Sequence, residues 1–321
     1  MTATIDRPSD ADGSPPARGK KPAVDGQRGI GVQIAVYFGV LLPIAAVAVA
    51  VPFAWGWGLS WLDVGLFVFF YVVSGMGITV AFHRHFTHGS FKAKRWLRVA
   101  LAIAGSTALQ GPVITWVADH RRHHAFSDRE GDPHSPWMFG TSPVALARGF
   151  YHAHFGWLFD RDQSNAERFA PDLLKDKAIV KVDDLFWLWS LLSLIVPGIL
   201  GGLLSWSIWG GVTAMFWAGL VRVCVLHHVT WSVNSICHML GERPFKTRDK
   251  AANFWPLAII SFGESWHNLH HADPTSARHG VQRAQIDISA RTIWIFEKLG
   301  WAYSVRWPTE RRIAKLAASS N

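Results

Sequence analysis

The chain contains four runs of about twenty residues that are almost free of charge, and these runs restrict its fold more than any other feature. Residues 33–53 and 66–82 form the first two runs, with Asp63 near the outer end of the second. Residues 185–208 and 210–229 form the other two. A helix of about 20 apolar residues can cross the hydrocarbon core of a bilayer. The sequence therefore predicts four transmembrane helices, arranged as two hairpins.

A further apolar stretch, residues 97–118, is interrupted by Gln110, Gly111 and Pro112. Such an interruption is typical of a turn, so a buried or membrane-surface helix followed by a turn is expected here. With only two hairpins, the leader, the region after His83, the polar loop at residues 119–184 and the C-terminal third are expected to lie on the same side of the membrane. A full crossing at residues 97–118 would instead separate His83 and His88 from the remaining histidines.

The ends of the chain differ from the apolar middle. Residues 1–30 are polar and lack apolar periodicity, which predicts a disordered basic leader. Its basic residues precede the first apolar run, so this end is expected to stay in the cytoplasm. Residues 31–308 are expected to form one membrane domain with a cytoplasmic cap, and residues 309–321 a basic C-terminal tail. The predicted location is the cell membrane.

Composition agrees with a membrane protein and narrows its partners. Half of the residues are hydrophobic and only 17% are charged, whereas soluble proteins have about 25% charged residues. The net charge of +9 favours an anionic partner such as a lipid headgroup, a nucleic acid or a phosphate-bearing substrate. No nucleic-acid-binding motif is recognisable, so no nucleic-acid partner is expected.

Two His-x-x-His-His trios carry the strongest chemical signal in the sequence. They are His120, His123, His124 and His267, His270, His271. Residues at i, i+3 and i+4 share one face of a helix, so each trio can point three imidazoles in one direction. Packing imidazoles together has no stability rationale unless something neutralises them, which indicates metal binding. Imidazole binds Zn, Cu, Fe and Ni, so the ligand type does not name the metal.

Three further histidines extend this set to nine ligands, enough for two metals. His83 and His88 are five residues apart, which places them off a common stripe of an ideal helix. They either serve two different metals or lie where the second helix ends. His238 lies one turn beyond Asn234 and shares its face. A structural, hydrogen-bonding role is expected for six of the remaining histidines, namely His85, His134, His152, His227, His228 and His279.

The order of these histidine groups resembles the membrane fatty acyl desaturases, specifically the acyl-CoA Δ9 (stearoyl-CoA) desaturase branch. The similarity extends to residues outside the three histidine boxes. These are Gln110, Trp116, Asp119, Asp132-Pro-His134, His154-Phe-Gly-Trp-Leu, Thr230-Trp231 and Gly263-Glu264. The resemblance extends from about the first predicted helix to the segment after His271.

The resemblance implies an all-α integral membrane protein whose cytoplasmic helical cap holds a di-iron site. The implied ligands of the two irons are His83, His88, His120, His123, His124, His238, His267, His270 and His271, with Asn234 joining through a water. The implied substrate-binding residues are Gln110, Trp116, Asp119, Thr230 and Trp231, which line a bent tunnel with Gln110 near its kink. The implied reaction inserts a cis double bond near C9 of stearoyl- or palmitoyl-CoA and consumes O2 and two electrons.

Two positions depart from the animal members of the family. Gly111 and Ala118 stand where those relatives have Asn and Arg in contact with CoA. This chain therefore lacks two of the side chains with which those relatives recognise the CoA headgroup. An acyl-lipid desaturase and a di-iron hydroxylase are therefore retained as alternatives. A membrane metal transporter is a further alternative, but transporters tend to place ionisable groups near the membrane midplane rather than at helix ends.

Electrons are expected to come from a separate protein. Two cysteines are too few for an iron–sulfur cluster, and no Gly-x-Gly-x-x-Gly fingerprint for a flavin or nicotinamide is present. The expected donor is an NAD(P)H-dependent reductase or a ferredoxin.

Overall fold

The computed structural model describes residues 21–54 and 58–317, and four of its helices are long and apolar enough to cross a membrane. We call them spans 1 to 4. They cover Ile30–Ala50, Trp61–Thr87, Phe186–Ser205 and Ile208–His238. The four predicted crossings are confirmed by these length and composition criteria, and the chain is a membrane protein.

The spans are built from several helical segments. Span 1 lies in helix α1 (Ile30–Ala54), and span 3 is helix α8 (Phe186–Ser205). Span 2 joins α2 (Trp61–Met76) to a π-helical segment at Gly77–Thr87. Span 4 joins α9 (Ile208–Ala214), a π-helical segment at Met215–Val221, α10 (Arg222–Ser235) and a short 3-10 turn at Ile236–His238.

Spans 3 and 4 form a tight hairpin packed through small residues. Trp206 adopts a left-handed conformation at the end of α8, and the Ser207 side chain caps the start of α9. A Cβ added at Gly201 would lie 2.2 Å from Cβ of Ala214, so only glycine permits this approach. Close packing of small residues is a main source of helix association in membranes, where the hydrophobic effect between helices is absent.

The interrupted apolar stretch is not a fifth crossing among the described residues. It forms α3 (Arg95–Ser106) and α4 (Val113–Phe126), joined by a turn at residues 107–112. Leu109 (φ +58°) and Gly111 (φ +103°) lie in the left-handed region within this turn. The sequence prediction of a helix followed by a turn is therefore confirmed.

The cap packs on one end of the spans. Its elements are α5 (Pro143–His154), α6 (Ala166–Phe169), α7 (Lys177–Asp184), α11 (His267–Ala272), α12 (Ile288–Lys298) and α13 (Glu310–Leu316). Two small antiparallel sheets join them. They pair β1 (Val24–Gln27) with β3 (Asp162–Ser164), and β2 (Lys92–Ala93) with β4 (Ala302–Tyr303).

The start of ordered structure differs from the expectation of a disordered leader through residue 30. Strand β1 pairs Val24 with Ser164 and Gln27 with Asp162, and the Arg28 amide donates to the Arg161 carbonyl at 2.8 Å. Residues 21–30 are therefore part of the fold, while residues 1–20 of the expected leader lie outside the described residues. Composition did not predict this strand, because a short polar strand can form through backbone hydrogen bonds to a partner strand alone. In the expected tail, α13 is helical and residues 318–321 lie outside the described part.

Candidate metal centre

The nine histidines singled out from the sequence lie together in two groups. Group A contains His83, His88, His120, His124 and His270, and group B contains His123, His238, His267 and His271. Within each group the ligand atoms lie within 4.8 Å of one another. The ends of spans 2 and 4 and the helices α4 and α11 supply them. The structure thus brings together residues that are far apart in the sequence.

Each His-x-x-His-His trio divides between the two groups. On α4 the i, i+4 pair His120 and His124 joins group A, whereas His123 joins group B. On α11 the pair His267 and His271 joins group B, whereas His270 joins group A. The expectation that each trio points in one direction is therefore too simple, because a helix between two sites can serve both.

The π-helical end of span 2 explains the five-residue spacing of His83 and His88. A π-helix bonds residue i to residue i+5, so this spacing returns to the same side of the helix. The His88 amide donates to the His83 carbonyl at 3.2 Å, and the two ring centroids are 5.0 Å apart. Both side chains belong to group A. Of the two alternatives drawn from the sequence, the position at the end of the helix is correct.

The distances between ring nitrogens fit a metal-binding arrangement. In group A, Nε2 of His270 lies 3.0 Å from Nε2 of both His83 and His124. In group B, Nε2 of His267 lies 3.2 Å from Nε2 of His238 and 3.0 Å from Nε2 of His271. Ligand atoms that share an ion at about 2.1 Å lie about 3.0–3.4 Å from one another.

Unpartnered nitrogens support the same interpretation. Nε2 of His88 in group A and Nε2 of His123 in group B are buried and have no hydrogen-bond partner in the described part of the chain. Because buried polar atoms are normally satisfied, each of these atoms calls for a ligand. Imidazole is a ligand that iron accepts, so the residues present fit a pair of iron ions.

The electrostatics keep most of these rings neutral, as metal ligation requires. Burial and the neighbouring histidines lower the pKa values of six of them well below the usual range of histidine. These six are His88, His120, His124, His267, His270 and His271. A neutral ring keeps a lone pair on one nitrogen.

Four carboxylates orient four of the histidines from behind. Three of them accept a hydrogen bond from Nδ1, and Glu264 lies at ion-pair distance from Nδ1 of His83. Each contact leaves Nε2 facing its group. The pairs are Asp132–His123 at 2.9 Å, Asp128–His238 at 3.0 Å, Asp249–His271 at 2.8 Å and Glu264–His83 at 2.6 Å. Such carboxylate–histidine pairs fix the tautomer and the direction of a metal ligand.

The protonation of His123 shows the strength of this arrangement. Burial alone would lower the pKa of His123, but the Asp132 carboxylate beside it raises that pKa above its usual value. Burial would likewise raise the pKa of Asp132, yet His123 holds it below the ordinary range. Each group therefore favours the charged form of the other, and the hydrogen bond between them runs from Nδ1 to the carboxylate.

Glu264 lies in a buried charge network that sequence analysis did not find. Arg84 is fully buried, and its guanidinium lies 3.0 Å from Glu264 and 3.0 Å from Asp287. Burial would raise the pKa of Glu264, but Arg84, His83 and His279 hold it well below its usual range. The network therefore keeps a carboxylate ionised directly behind His83.

Two histidines expected to have only a structural role lie at the edge of the groups. His134 forms a third set of possible metal-ligand atoms with His123 and Asp132. The ring of His279 lies 4.6 Å from that of His270, and its Nδ1 lies 3.4 Å from Glu264. No sequence signal separates His279 from a lone histidine, whereas His134 follows Asp132 by two residues.

A cavity of about 400 Å³ is lined by residues of all four spans and of the cap, and it reaches the histidines of both groups. It is lined by His83 and His120 of group A and His267 of group B. All five expected substrate-binding residues line it as well, namely Gln110, Trp116, Asp119, Thr230 and Trp231. Asn234, expected to act through a water, is also part of the lining.

Contacts within the cavity wall tie the expected tunnel residues to the metal groups. Nε2 of Gln110 donates to Oγ1 of Thr230 at 2.7 Å, which joins the turn at residues 107–112 to span 4. The Trp116 ring stacks on His120, with centroids 5.0 Å apart and planes 23° apart. The wall that would hold a chain is therefore continuous with group A.

The two positions that depart from the animal relatives differ in exposure to this cavity. Gly111 lines it but has no side chain, and Ala118 is fully buried and does not line it. Neither can contact a headgroup through a polar side chain. Asp119 and Arg28 line the cavity instead. Burial raises the pKa of Asp119, although Ser164, Arg28 and Arg122 act in the opposite direction.

Comparisons with known proteins agree with this site. The family model described as fatty acid desaturase matches residues 59–307. The chain is 39% identical over 275 residues to a hex-5-enoyl-[acyl-carrier protein] acetylenase of Moorena producens (strain JHB), covering 85% of this chain and 86% of that protein. It is 37% identical over 285 residues to Delta-9 acyl-lipid desaturase 2 of Arabidopsis thaliana, covering 88% and 86%. It is 36% identical over 250 residues to the sn-1 stearoyl-lipid 9-desaturase of Anabaena variabilis, covering 77% and 85%.

Proposed function

Because the chain belongs to the membrane fatty acid desaturase family, we propose that it inserts a cis double bond near C9 of a saturated fatty acyl chain. Membership of this family makes the protein an oxygen-dependent oxidoreductase that acts on an acyl chain and needs an electron donor. The position of the double bond is supported by the Δ9 names of two relatives. The observation that carries the proposal is the cavity, which passes the histidines of both groups and the Gln110–Thr230 bond.

We propose that groups A and B each hold one iron ion. The ligands would be the five histidines of group A and the four of group B, with Asn234 joining through a water. With O2 and two electrons, such a pair supplies the oxidising power to remove two hydrogens from an unactivated chain. The four carboxylates behind the rings hold the ligands in place, so little reorganisation is needed on binding.

The protein's own contribution to the reaction is to position the chain and exclude water. Trp116 and Trp231 give flat apolar walls, and the Gln110–Thr230 bond closes the wall between α4 and span 4. A chain that bends at this bond presents two neighbouring carbons to the histidines in a curved conformation. A bend formed by the wall before the reaction would favour the cis product.

The proposal also concerns the group that carries the acyl chain. We propose an acyl-CoA with a stearoyl or palmitoyl chain, because arginines gather near the cavity lining at Asp119. Arg28 lines the cavity, the Arg161 guanidinium donates to the Arg28 carbonyl at 2.7 Å, and Arg122 acts on the Asp119 carboxylate. These cations suit a phosphate-bearing carrier.

An acyl-lipid substrate is the second candidate. It is favoured by the names of the Arabidopsis and Anabaena relatives and by the lack of polar side chains at Gly111 and Ala118. Phospholipids carry phosphate as well, so the arginines alone do not separate the two carriers. An acyl-carrier protein is named for the relative from Moorena producens.

We further propose that the protein lies in the cell membrane with its cap in the cytoplasm. Four crossings would leave the segment before span 1, the segment after span 4 and both histidine groups on one side. Basic residues before span 1, including Lys21 and Arg28, favour the cytoplasm for that side. Electrons would come from a separate reductase or ferredoxin on the same side.

The experiment expresses the chain in cells that make no Δ9-unsaturated lipids and localises double bonds by mass spectrometry. The expected product is a cis-Δ9 acyl chain that is absent with the His270→Ala variant. A hydroxylated chain, or no modified chain from an expressed and metal-loaded protein, would refute the proposal. Purified protein given stearoyl-CoA or an intact stearoyl phospholipid, with O2 and a reduced donor, then identifies the carrier that is consumed.

A further inference from the structure

Arg222 is a charged residue within span 4 that the proposed site does not use. Its side chain is fully buried, and no carboxylate forms an ion pair with it among residues 21–54 and 58–317. A charge at membrane depth is costly, so such residues are seldom retained without a role. Its position therefore calls for a specific explanation.

All five N–H donors of Arg222 have neutral oxygen acceptors. Nε donates to the Ala218 carbonyl at 3.0 Å within its own helix. Nη1 donates to Oγ of Ser74 in span 2 at 3.3 Å and to the Thr107 carbonyl at 3.1 Å. Nη2 donates to the carbonyl and Oγ of Ser193 in span 3, at 3.1 and 2.7 Å. One guanidinium thus joins three spans to the turn at residues 107–112.

The turn at residues 107–112 packs against the spans, and its carbonyl groups accept hydrogen bonds from side chains instead of from a helix backbone. Oγ of Ser193 donates to the Thr107 carbonyl at 2.6 Å, in addition to Arg222. Nε2 of His227 donates to the Ala108 carbonyl at 2.8 Å. Irregular backbone is tolerated at membrane depth only where protein groups satisfy it. Side chains of spans 3 and 4 therefore fix where this turn sits.

The same turn forms part of the cavity wall. Leu109, Gln110, Gly111 and Pro112 all line the cavity, and Gln110 donates to Thr230 eight residues beyond Arg222 on span 4. Eight helical residues span about 12 Å, so Arg222 holds one end of the turn and Thr230 the other. A slide of the turn along span 4 would change which carbons face the histidines.

We propose that Arg222 is a positioning residue that sets the double-bond position by locking the turn at residues 107–112 against span 4. The inference rests on the proposed desaturation of an acyl chain. It assigns regiochemistry to a residue that does not line the cavity, acting through the Thr107 carbonyl. Misplacement of a reacting chain by about 1 Å is enough to alter enzymatic reactivity strongly.

Two serine variants separate positioning from a general loss of stability. Ser193→Ala removes one acceptor of Arg222 and one donor to the Thr107 carbonyl. Ser74→Ala also removes one acceptor of Arg222, but Ser74 has no hydrogen bond to the turn in the described part of the chain. The two changes are chemically identical, so the difference between them reports the contact with the turn. Arg222→Lys keeps the charge with fewer donors, and Arg222→Met removes both.

The test measures the fraction of product with the double bond away from the wild-type position. We expect this fraction to rise at least about tenfold in Arg222→Met, less in Arg222→Lys, and measurably in Ser193→Ala. Ser74→Ala should give the wild-type distribution. Hydrogen exchange of the peptide covering residues 105–113, which requires no turnover, should rise in Arg222→Lys and Ser193→Ala but not in Ser74→Ala.

The outcomes distinguish this inference from the function beneath it. If Arg222→Met does not accumulate, the serine pair and Arg222→Lys still decide the question. Wild-type regiochemistry and wild-type exchange in Ser193→Ala and Arg222→Lys would overturn the inference alone. A wild-type protein that forms no double bond would overturn the proposed function and this inference with it.

Discussion

Replacing Asp132 with asparagine should weaken metal binding in group B without disturbing group A. Asp132 is 2% exposed, and its two oxygens lie 2.9 and 3.1 Å from Nδ1 of His123. The same carboxylate accepts the backbone N–H groups of Asp128 at 2.9 Å and His134 at 3.0 Å. An asparagine keeps one oxygen, so its NH2 group faces at least one of these donors.

The size of the effect follows from the loss of a charge-assisted hydrogen bond behind a ligand. A hydrogen bond to a charged group contributes about 1.5–3 kcal/mol, and loss of such an outer partner typically lowers metal affinity about 10- to 100-fold. Group A has His83, rather than His123, as its carboxylate-paired ligand. We therefore expect the variant to lose one of its two ions at a chelator concentration about 10- to 100-fold below that needed for the wild type.

The assay titrates purified, iron-loaded protein with a competing chelator and counts retained iron by elemental analysis. The matched control is Asp172→Asn, which removes a partly exposed carboxylate paired with Arg121 on the same helix as His123. This control should retain iron like the wild type. Equal retention by Asp132→Asn and the wild type would refute the reasoning, as would simultaneous loss of both ions, since the two groups would then not be separable.

Four further predictions follow from the same geometry. His270→Ala should abolish activity while leaving membrane insertion intact, because Nε2 of His270 contacts two other ligands at 3.0 Å; metal analysis giving one ion per active wild-type chain would contradict the two-ion site. Thr230→Val removes the acceptor of Gln110 and should change regiochemistry or chain-length preference, which product analysis measures; an unchanged rate, position and chain length would exclude these residues from the tunnel. Turnover with NADPH should require an added ferredoxin or reductase and should fall with salt at limiting donor, as screening acts over about 10 Å at 0.1 M; sustained turnover without a donor would contradict this. Burial raises the pKa of Asp183 to about 6. The ionised carboxylate therefore begins to destabilise the fold as pH rises above about 4, the pKa of the unfolded chain, and does so fully above pH 6. Asp183→Asn should raise Tm by about 2–4 °C at pH 8 and leave it unchanged at pH 4, and equal shifts of Tm at both pH values would refute this.

The membrane architecture was predictable because apolar length is a local property of the sequence. The interrupted stretch was also interpreted correctly, since Gln110, Gly111 and Pro112 break any continuous helix. The ends of spans 2 and 4 were placed too early, however. Both spans continue into buried histidines that hydropathy scores as polar, ending at Thr87 and His238.

The histidine groups were predictable from spacing, but the way the helices divide them was not. The π-helical segment at Gly77–Thr87 that unites His83 and His88 leaves no mark in the residue pattern. Among the supporting carboxylates, Asp132 and Glu264 were named only as family-like positions without a role, and Asp128 and Asp249 were missed for a different reason. Asp128 lies 110 residues from its partner His238, and a single acidic residue in a polar loop looks like a solvated one. Only the tertiary fold reveals such pairs.

The separation of the ligands along the chain bears on when the metal centre can form during synthesis. His83 and His270, whose Nε2 atoms meet in group A, are 187 residues apart. At roughly 5–20 residues per second, a ribosome needs roughly 10–40 s to travel from one to the other. Likewise, the charge of Arg84 can be neutralised by Glu264 only after another 180 residues have been synthesised. Span 2 must therefore enter the membrane with an incomplete end. Loading of the proposed iron ions would then be one of the last steps of biogenesis, because the C-terminal cap must first be complete.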